Sequence, residues 1–368
     1  MNYIITGISY NGKLCEQPDN DTIVMSGEEL GKSNVRFTKE DKIYVPSESS
    51  LSTVMEHMDD ESLKAGISRL KDKYLCREAL KPLYPDFFFA TAQLGDLANF
   101  NTKGKKIVIK PRKGFFGTGV RIVEVHSDLA EVAREIKREV LENARYFPDS
   151  ILRREEFILE EFISGEEFAV DMFYDQEGVP AIMNIYSHPE AANSSYDHLM
   201  YYNNKAVFER YLKPLTRLFI KLGDALNLKS FPIHAEFKLQ NDNFVPIEFN
   251  PMRYGGFGLA DLTKLSYGFD PISCYFTDQH LNWAEIWRDR DKSHYAFILA
   301  YNGTEADVDT MCPDHAKLQA CLKENANLLD YIQLDHTQNP VFAIAYIHSH
   351  SKKDMLNLLN MEFNDFFI

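Results

Sequence analysis

The chain has 368 residues, enough for two or three domains at roughly 150 residues each and for a core that needs no disulfide or metal staple. Hydrophobic residues make up 45% and charged residues 26%, which excludes a disordered polar chain. The net charge of −15 argues against general affinity for nucleic acid or an anionic membrane, though not against one anion held in a local basic loop.

The first predicted strand is Tyr3 to Ile8, followed by candidate strands at Thr22 to Met25 and Lys42 to Val45. Leu63, Ile67, Leu70, Tyr74 and Leu75 recur at helical spacing and predict one helix from Glu61 to Leu80, ended by Pro82 and Pro85. These pieces make a small α/β unit without a GxGxxG after its first strand, so a dinucleotide site is not expected there. Strands follow at Lys106 to Lys110 and Val120 to Val125. Ser127 then reads as the N-cap of a helix from Asp128 to Tyr146. Phe157 to Ile163, Glu167 to Tyr174 and Ala181 to Tyr186 read as strands, and residues 187 to 204 as a polar, irregular stretch. A helix over Val207 to Leu228 precedes two strands, Ile233 to Leu239 and Phe244 to Phe249. Beyond residue 270 the expected elements are strands His294 to Tyr301 and Val341 to His348 and a final short helix, Asp354 to Met361. The five cysteines contain no Cys-x-x-Cys pair, and neither a secretory leader nor an apolar run of ~18 residues is visible. The expected localisation is cytoplasmic.

Three segments carry chemistry. In Ile107 to Val120, a strand ends in Lys110 and runs into a loop holding Gly114, Gly117, Thr118 and Gly119. Glycines let backbone N–H groups approach an anion, and a lysine at the strand end adds a point charge beside a phosphate. The alternative is a hairpin whose glycines serve only the turn. In Ile158 to Asp171, Glu160, Glu161, Glu166 and Glu167 sit among apolar neighbours. This is either a solvated sheet edge or an adenosine slot, with apolar walls for the purine and a carboxylate for the ribose hydroxyls. The third segment pairs Ile233 to Leu239 with Phe244 to Asn250. A three-residue loop, 241–243, sets Glu236 opposite Glu248 and His234 opposite Asn250. Two carboxylates that close repel unless a cation lies between them, and a hard divalent ion with oxygen ligands suits the set. A two-residue loop is expected to break this register. Arg253 follows at once, near Gly255, Gly256 and Gly258, where a cation stabilises a transferred phosphoryl group.

In this order the motifs resemble the ATP-grasp superfamily over residues 70 to 270. The resemblance implies an α/β (α+β) chain with an ATP-grasp fold: a small N-terminal α/β domain (1–75), an ATP-grasp domain (76–270) with lobes 76–165 and 166–270, and a lid-like C-terminal α/β extension (271–368). It implies that Arg77 and Lys110 reach the phosphates of ATP, with Gly114, Gly117, Thr118 and Gly119 beside them. Glu160, Glu161 and Ile163 stand in the adenine-reading segment, and Glu167 stands as the ribose carboxylate. Glu236, Glu248 and Asn250 hold Mg²⁺, or Mn²⁺ in its place. Arg253 and Lys110 are the catalytic cations. Met252 is an insertion relative to the family's Asn-Pro-Arg ending, and Phe115 and Phe116 are bulky for the glycine loop. The implied reaction is ADP-forming ligation of a carboxylate to an amine through an acyl phosphate, with an amino acid or small peptide as one substrate. The partners are those small molecules, with no nucleic acid and no membrane, and a homo-oligomer is compatible. A regulatory or assembly protein that keeps the ATP cleft without turnover is the alternative, and an acyl-phosphate-forming carboxylase the third reading.

Other patterns carry less. His348 and His350 form a chelating pair without a third ligand in sequence. Ser194, Ser195, Asp197 and His198 contain triad residue types but no GxSxG elbow. The stretch from His188 to Lys205 reads as a loop closing over bound substrate, with Tyr201, Tyr202 and Lys205 along a pocket, or as plain solvent loop.

Overall fold

The computed structural model describes residues 1–16, 18, 21–113, 119–143, 156–196 and 198–368. Three sheets carry the fold. The first is parallel, with β1 (Asn2–Thr6) between β2 (Thr22–Ser26) and β3 (Lys42–Tyr44). The second is antiparallel in the order β4-β7-β5-β6, built from β4 (Phe89–Gln93), β5 (Ile107–Pro111), β6 (Arg121–Val123) and β7 (Glu156–Glu161).

The third sheet has eight strands: β8 (Glu166–Tyr174), β9 (Pro180–His188), β10 (Met200–Asn204), β11 (Phe231–Gln240), β12 (Asn243–Pro251), β13 (His294–Tyr301), β14 (Asn327–Gln333) and β15 (Val341–Ser349). Their order is β12-β11-β8-β9-β10-β13-β15-β14. Residues beyond 270 therefore continue this sheet rather than forming one of their own. One face of its β8-β11-β12 half packs on the helix Lys205–Leu226. There Phe168 meets Tyr211 at 4.6 Å, Tyr211 meets Phe244 at 5.4 Å and Phe219 meets Phe237 at 5.8 Å. Because side chains alternate along a strand, the intervening residues face the other way, and these are the polar ones.

Four expectations need correction. The stretch Glu61 to Leu80 is two helices, Glu61–Lys71 and Lys73–Leu80, because the Asp72 side chain accepts from the N–H groups of Tyr74 and Leu75 and restarts the chain as an N-cap. Ser127 does not cap the next helix, Leu129–Asn143: its hydroxyl accepts from Glu124 N–H, and Asp128 takes the N–H of Ala130 instead. The stretch 187–204 is not irregular throughout, since β9 runs to His188 and β10 is a buried interior strand. In the C-terminal part, the helix His315–Asn325 and β14 had no sequence counterpart, and the final helix is Lys352–Asn357, ending in a 3₁₀ turn at Leu358–Asn360.

Candidate functional site

The polar face of the large sheet follows from its register. On β8, Glu167, Ala169 and Asp171 pair with Lys238, Glu236 and His234 of β11. Glu236 pairs in turn with Glu248 of β12, and His234 with Asn250. The expected pairs are thus present, by a different route. The hairpin turn has only two residues, Asn241 and Asp242, both left-handed with φ of 51° and 59°. A bulge between Glu236 and Phe237 absorbs the missing residue by leaving Ile247 without a partner on β11. The freed carbonyl of Ile247 accepts from Lys110 Nζ at 3.2 Å.

Lys110 reaches across from the four-stranded sheet. It sits on β5 opposite Ile158 of β7, so it shares a face with Glu160 on the diagonal. Its Nζ lies 2.6 Å from Glu160 Oε2. Arg77, one turn into its helix, donates through Nε to Oε1 of the same carboxylate and stacks 4.2 Å above the Phe87 ring. Its buried Nη2 has no partner among the described residues. Burial pushes the Glu160 carboxyl up, but Arg77 and Lys110 pull it down further, to about 2. Burial also draws Lys110 below the ordinary lysine range against the pull of Glu160.

A third cation had not been singled out. Lys73 Nζ lies 2.7 Å from Glu248 Oε1. Burial raises Glu248, and Lys73 with Lys71 overcomes it, bringing the carboxyl to about 2. The space enclosed by Lys73, Arg77, Ile247 and Glu248 is about 10 Å³, room for roughly one water. The sequence signal was the helix N-terminus after Asp72, which sets Lys73 and Arg77 one turn apart on one side.

The metal trio is a set of oxygen donors on two adjacent strands. Glu248 is turned to Lys73, and Glu236 Oε1 lies 3.4 Å from His234 Nε2. Among the described residues no three His, Cys, Asp or Glu side chains converge as a metal site, and the expected set adds the amide oxygen of Asn250 to two carboxylates. Hard oxygen donors in this number fit Mg²⁺ that keeps open positions for phosphate oxygens. His234 Nδ1 donates to Asp171 Oδ1 at 2.7 Å; burial lowers His234, but Asp171 and Glu236 together lift it to about 9. Asp171, buried in mid-strand, also accepts from Gly255 N–H at 2.8 Å and from the Tyr186 hydroxyl at 2.9 Å. It thereby anchors the loop after β12. An aspartate inside an apolar run was the signal for this hub.

Met252 takes φ of 65°, donates to Pro232 O and accepts from Val45 N–H, so the inserted residue forms a kink tied on both sides. Arg253 beyond it donates to Tyr254 O at 3.0 Å and pairs with no carboxylate among the described residues. Glu160 and Glu161 are adjacent on a strand and so face opposite ways: the Glu161 carboxylate lies 2.5 Å from Lys105 Nζ, away from Arg77 and Lys110. Ile163 is buried just past β7. Glu167 accepts from His188 Nδ1 at 2.7 Å. Gly119 has φ of 74° and donates to Glu139 at 3.0 Å; Gly114, Gly117 and Thr118 lie outside the described residues, as do Phe115, Phe116 and Asp197. His348 and His350 turn to different partners, the Ser293 hydroxyl and the Lys292 carbonyl. No helix among the described residues is long and apolar enough to cross a membrane.

Two sheets that face their charged side chains toward each other, one with lysine and glutamate, one with a Glu-Glu-Asn set, define the ATP-grasp fold. Residues 104–261 match the family model of the ATP-grasp domain. Solved structures agree over nearly the whole length. L-amino acid ligase from Bacillus licheniformis superposes with a TM-score of 0.66 at 15% identity, covering 100% of this chain and 98% of that one. Carboxyaminoimidazole ribonucleotide synthase from Aspergillus clavatus, complexed with ATP, gives 0.62 at 14%, covering 97% of each chain. The biotin carboxylase domain of Hydrogenobacter thermophilus 2-oxoglutarate carboxylase, in complex with MgADP and bicarbonate, gives 0.56 at 11%, covering 95% and 86%. No curated protein matches the sequence.

Proposed function

We propose that the chain is an ATP-dependent ligase that joins a carboxylate to an amine and releases ADP and phosphate. The observation that carries this reading is the convergence of Lys110, Arg77 and Lys73 with Glu160 and Glu248 between the two sheets. Cations clustered opposite a set of hard oxygen donors suit a polyphosphate held with Mg²⁺. The likeness in fold to an L-amino acid ligase supports an amino acid or small peptide as substrate.

The residues divide the work as follows. Lys110 and Arg77 hold the nucleotide phosphates, and Glu167 Oε2 takes a ribose hydroxyl. Glu236, Glu248 and Asn250 would hold Mg²⁺, which would supply charge neutralisation for the phosphates. Lys73, paired with Glu248, would add a third cation beside the phosphates. The substrate carboxylate attacks the γ-phosphorus, the bond to ADP breaks, and an acyl phosphate forms. Arg253 leaves its backbone carbonyl to pair with the phosphoryl oxygens. The amine then attacks the acyl carbon and phosphate departs. Positioning and charge carry the catalysis.

A nucleotide-binding protein without turnover is the second reading, favoured by Arg253 and Glu248 being satisfied internally. Mg²⁺-dependent release of ADP and phosphate, with pooled amino acids and small carboxylates, separates the two. The ligase reading expects release that needs a pool and falls at least 10²-fold in Glu248→Ala. Tight ATP binding without turnover in any pool supports the second reading. Equal release by both proteins removes Glu248 from the metal site.

A further inference from the structure

His188, at the end of β9, is the strongest unexplained group in the molecule. Its side chain is 7% exposed, and its Nε2 is buried without a hydrogen-bond partner among the described residues. Buried polar atoms are nearly always paired, so an orphan of this kind calls for a ligand. Its other nitrogen fixes the chemistry. Nδ1 lies 2.7 Å from Glu167 Oε1. Burial raises Glu167, but the His188 hydrogen bond and charge bring it below the ordinary carboxylate range. An ionised carboxylate only accepts, so Nδ1 carries the hydrogen. In the neutral ring the lone pair is then on Nε2.

The surroundings suit a ring that gains and loses a proton. The Tyr201 ring of β10 stacks on His188 at 4.3 Å and 5°. His198, from the segment joining β9 to β10, is nearly parallel at 5.2 Å, and its Nδ1 meets the Tyr201 hydroxyl at 3.1 Å. An aromatic face and a carboxylate both stabilise imidazolium. Lys238 of β11 is the remaining charge in the group, 3.8 Å from Glu167 Oε2. Ala169, the next residue on the same face of β8 as Glu167, pairs with Glu236 of β11, which sets this cluster beside the candidate metal-binding face. Glu167 can serve two purposes because different oxygens are involved: Oε1 holds the imidazole and Oε2 remains for a ribose hydroxyl.

We propose that His188, oriented by Glu167, is the proton acceptor for the amine nucleophile, and that the segment bearing His198 and Tyr201 forms the amine side of the substrate site. This rests on the ligase reading. As the amine lone pair forms the N–C bond, the C–O bond to phosphate breaks and phosphate leaves with that electron pair. The amine proton passes to Nε2, and the imidazolium returns it to solvent before the next turnover.

Hydroxylamine provides the test, since it is already neutral at pH 7 and traps acyl phosphates as hydroxamates without a base. The measured quantity is the ratio of amide formed from pooled amino acids to hydroxamate formed from the same pool. His188→Asn keeps an N–H near the Nδ1 position for Glu167 and places nothing at Nε2. The ratio is expected to fall roughly 10²- to 10⁴-fold. Glu167→Gln, which misorients the ring, lowers the same ratio, and because both products need ATP a defect in nucleotide binding cancels. An unchanged ratio in folded His188→Asn overturns the assignment of His188 while leaving the ligase reading intact. Absence of both products in the wild type overturns the ligase reading and this inference together.

Discussion

Glu160 shows how one side chain can carry both stability and site. It is 2% exposed and shared by two cations, Arg77 on Oε1 and Lys110 on Oε2. Its carboxyl sits at about 2 in the folded chain against an ordinary 4.5. A depressed carboxyl contributes stability that is complete above the ordinary value and is lost as pH falls through the folded one. Glu160→Gln leaves two buried cations without a counter-charge, which costs about 3–5 kcal/mol at pH 7. Urea unfolding of both proteins checks this. The gap between them is expected to narrow steadily as pH falls from 4.5 to 2, and a gap independent of pH would refute the ion cluster. In the sequence Lys110, Arg77 and Glu160 were three separate clues to phosphate and adenine. They meet because β5 pairs with β7, a contact between residues 50 apart in sequence that no local pattern announces.

At the scale of elements, the site was legible wherever one strand face is apolar and the other chemical. The β11–β12 hairpin was readable for that reason, and Glu236 and Glu248 fell opposite each other despite the wrong turn length, because the bulge at Ile247 restores the pairing. The strand β10 was missed because its neighbours on both sides let it carry Tyr201, Tyr202, Asn203 and Asn204 into the interior, erasing the apolar alternation that marks a strand. The break at Asp72 was missed because the apolar stripe runs straight through it. Asp72 holds the first turn of the Lys73–Leu80 helix through Tyr74 and Leu75, and it receives Arg112 at 3.1 and 2.6 Å. That turn positions Lys73 and Arg77. Asp72→Ala is therefore expected to lose about 2–3 kcal/mol in chemical denaturation, from the cap and the charged hydrogen bonds together. Nucleotide affinity should weaken as well. A stability change within 0.5 kcal/mol, the usual scatter for surface changes, would mean that packing alone sets this turn.

The large sheet makes the strands of residues 166–251 and those beyond residue 270 interdependent. Strand β10 pairs with β13 along the whole length of β10, and β15 lies between β13 and β14. Phe297 and Tyr346 from these strands meet at 5.6 Å inside the main core. The Tyr346 hydroxyl donates to Gly258 O at 2.9 Å, in the loop that follows the Glu-x-Asn strand. A chain ending at residue 270 would expose β10 as an open edge and strip its inner face of Phe297 and Tyr346. An unpaired edge next to uncovered aromatic surface favours association between chains. We expect residues 1–270 alone to be aggregation-prone, without a sharp thermal transition, and unable to bind ATP as the full chain does. Calorimetry and ATP titration of the truncated and full chains decide the point. A truncated chain that melts cooperatively and binds ATP with full affinity would show the C-terminal strands to be an independent addition. Loss of both would mean that the strands beyond residue 270 hold the catalytic face in shape from the opposite end of the sheet. In that case substitutions there change turnover without touching a ligand, because a packed sheet shifts as a unit.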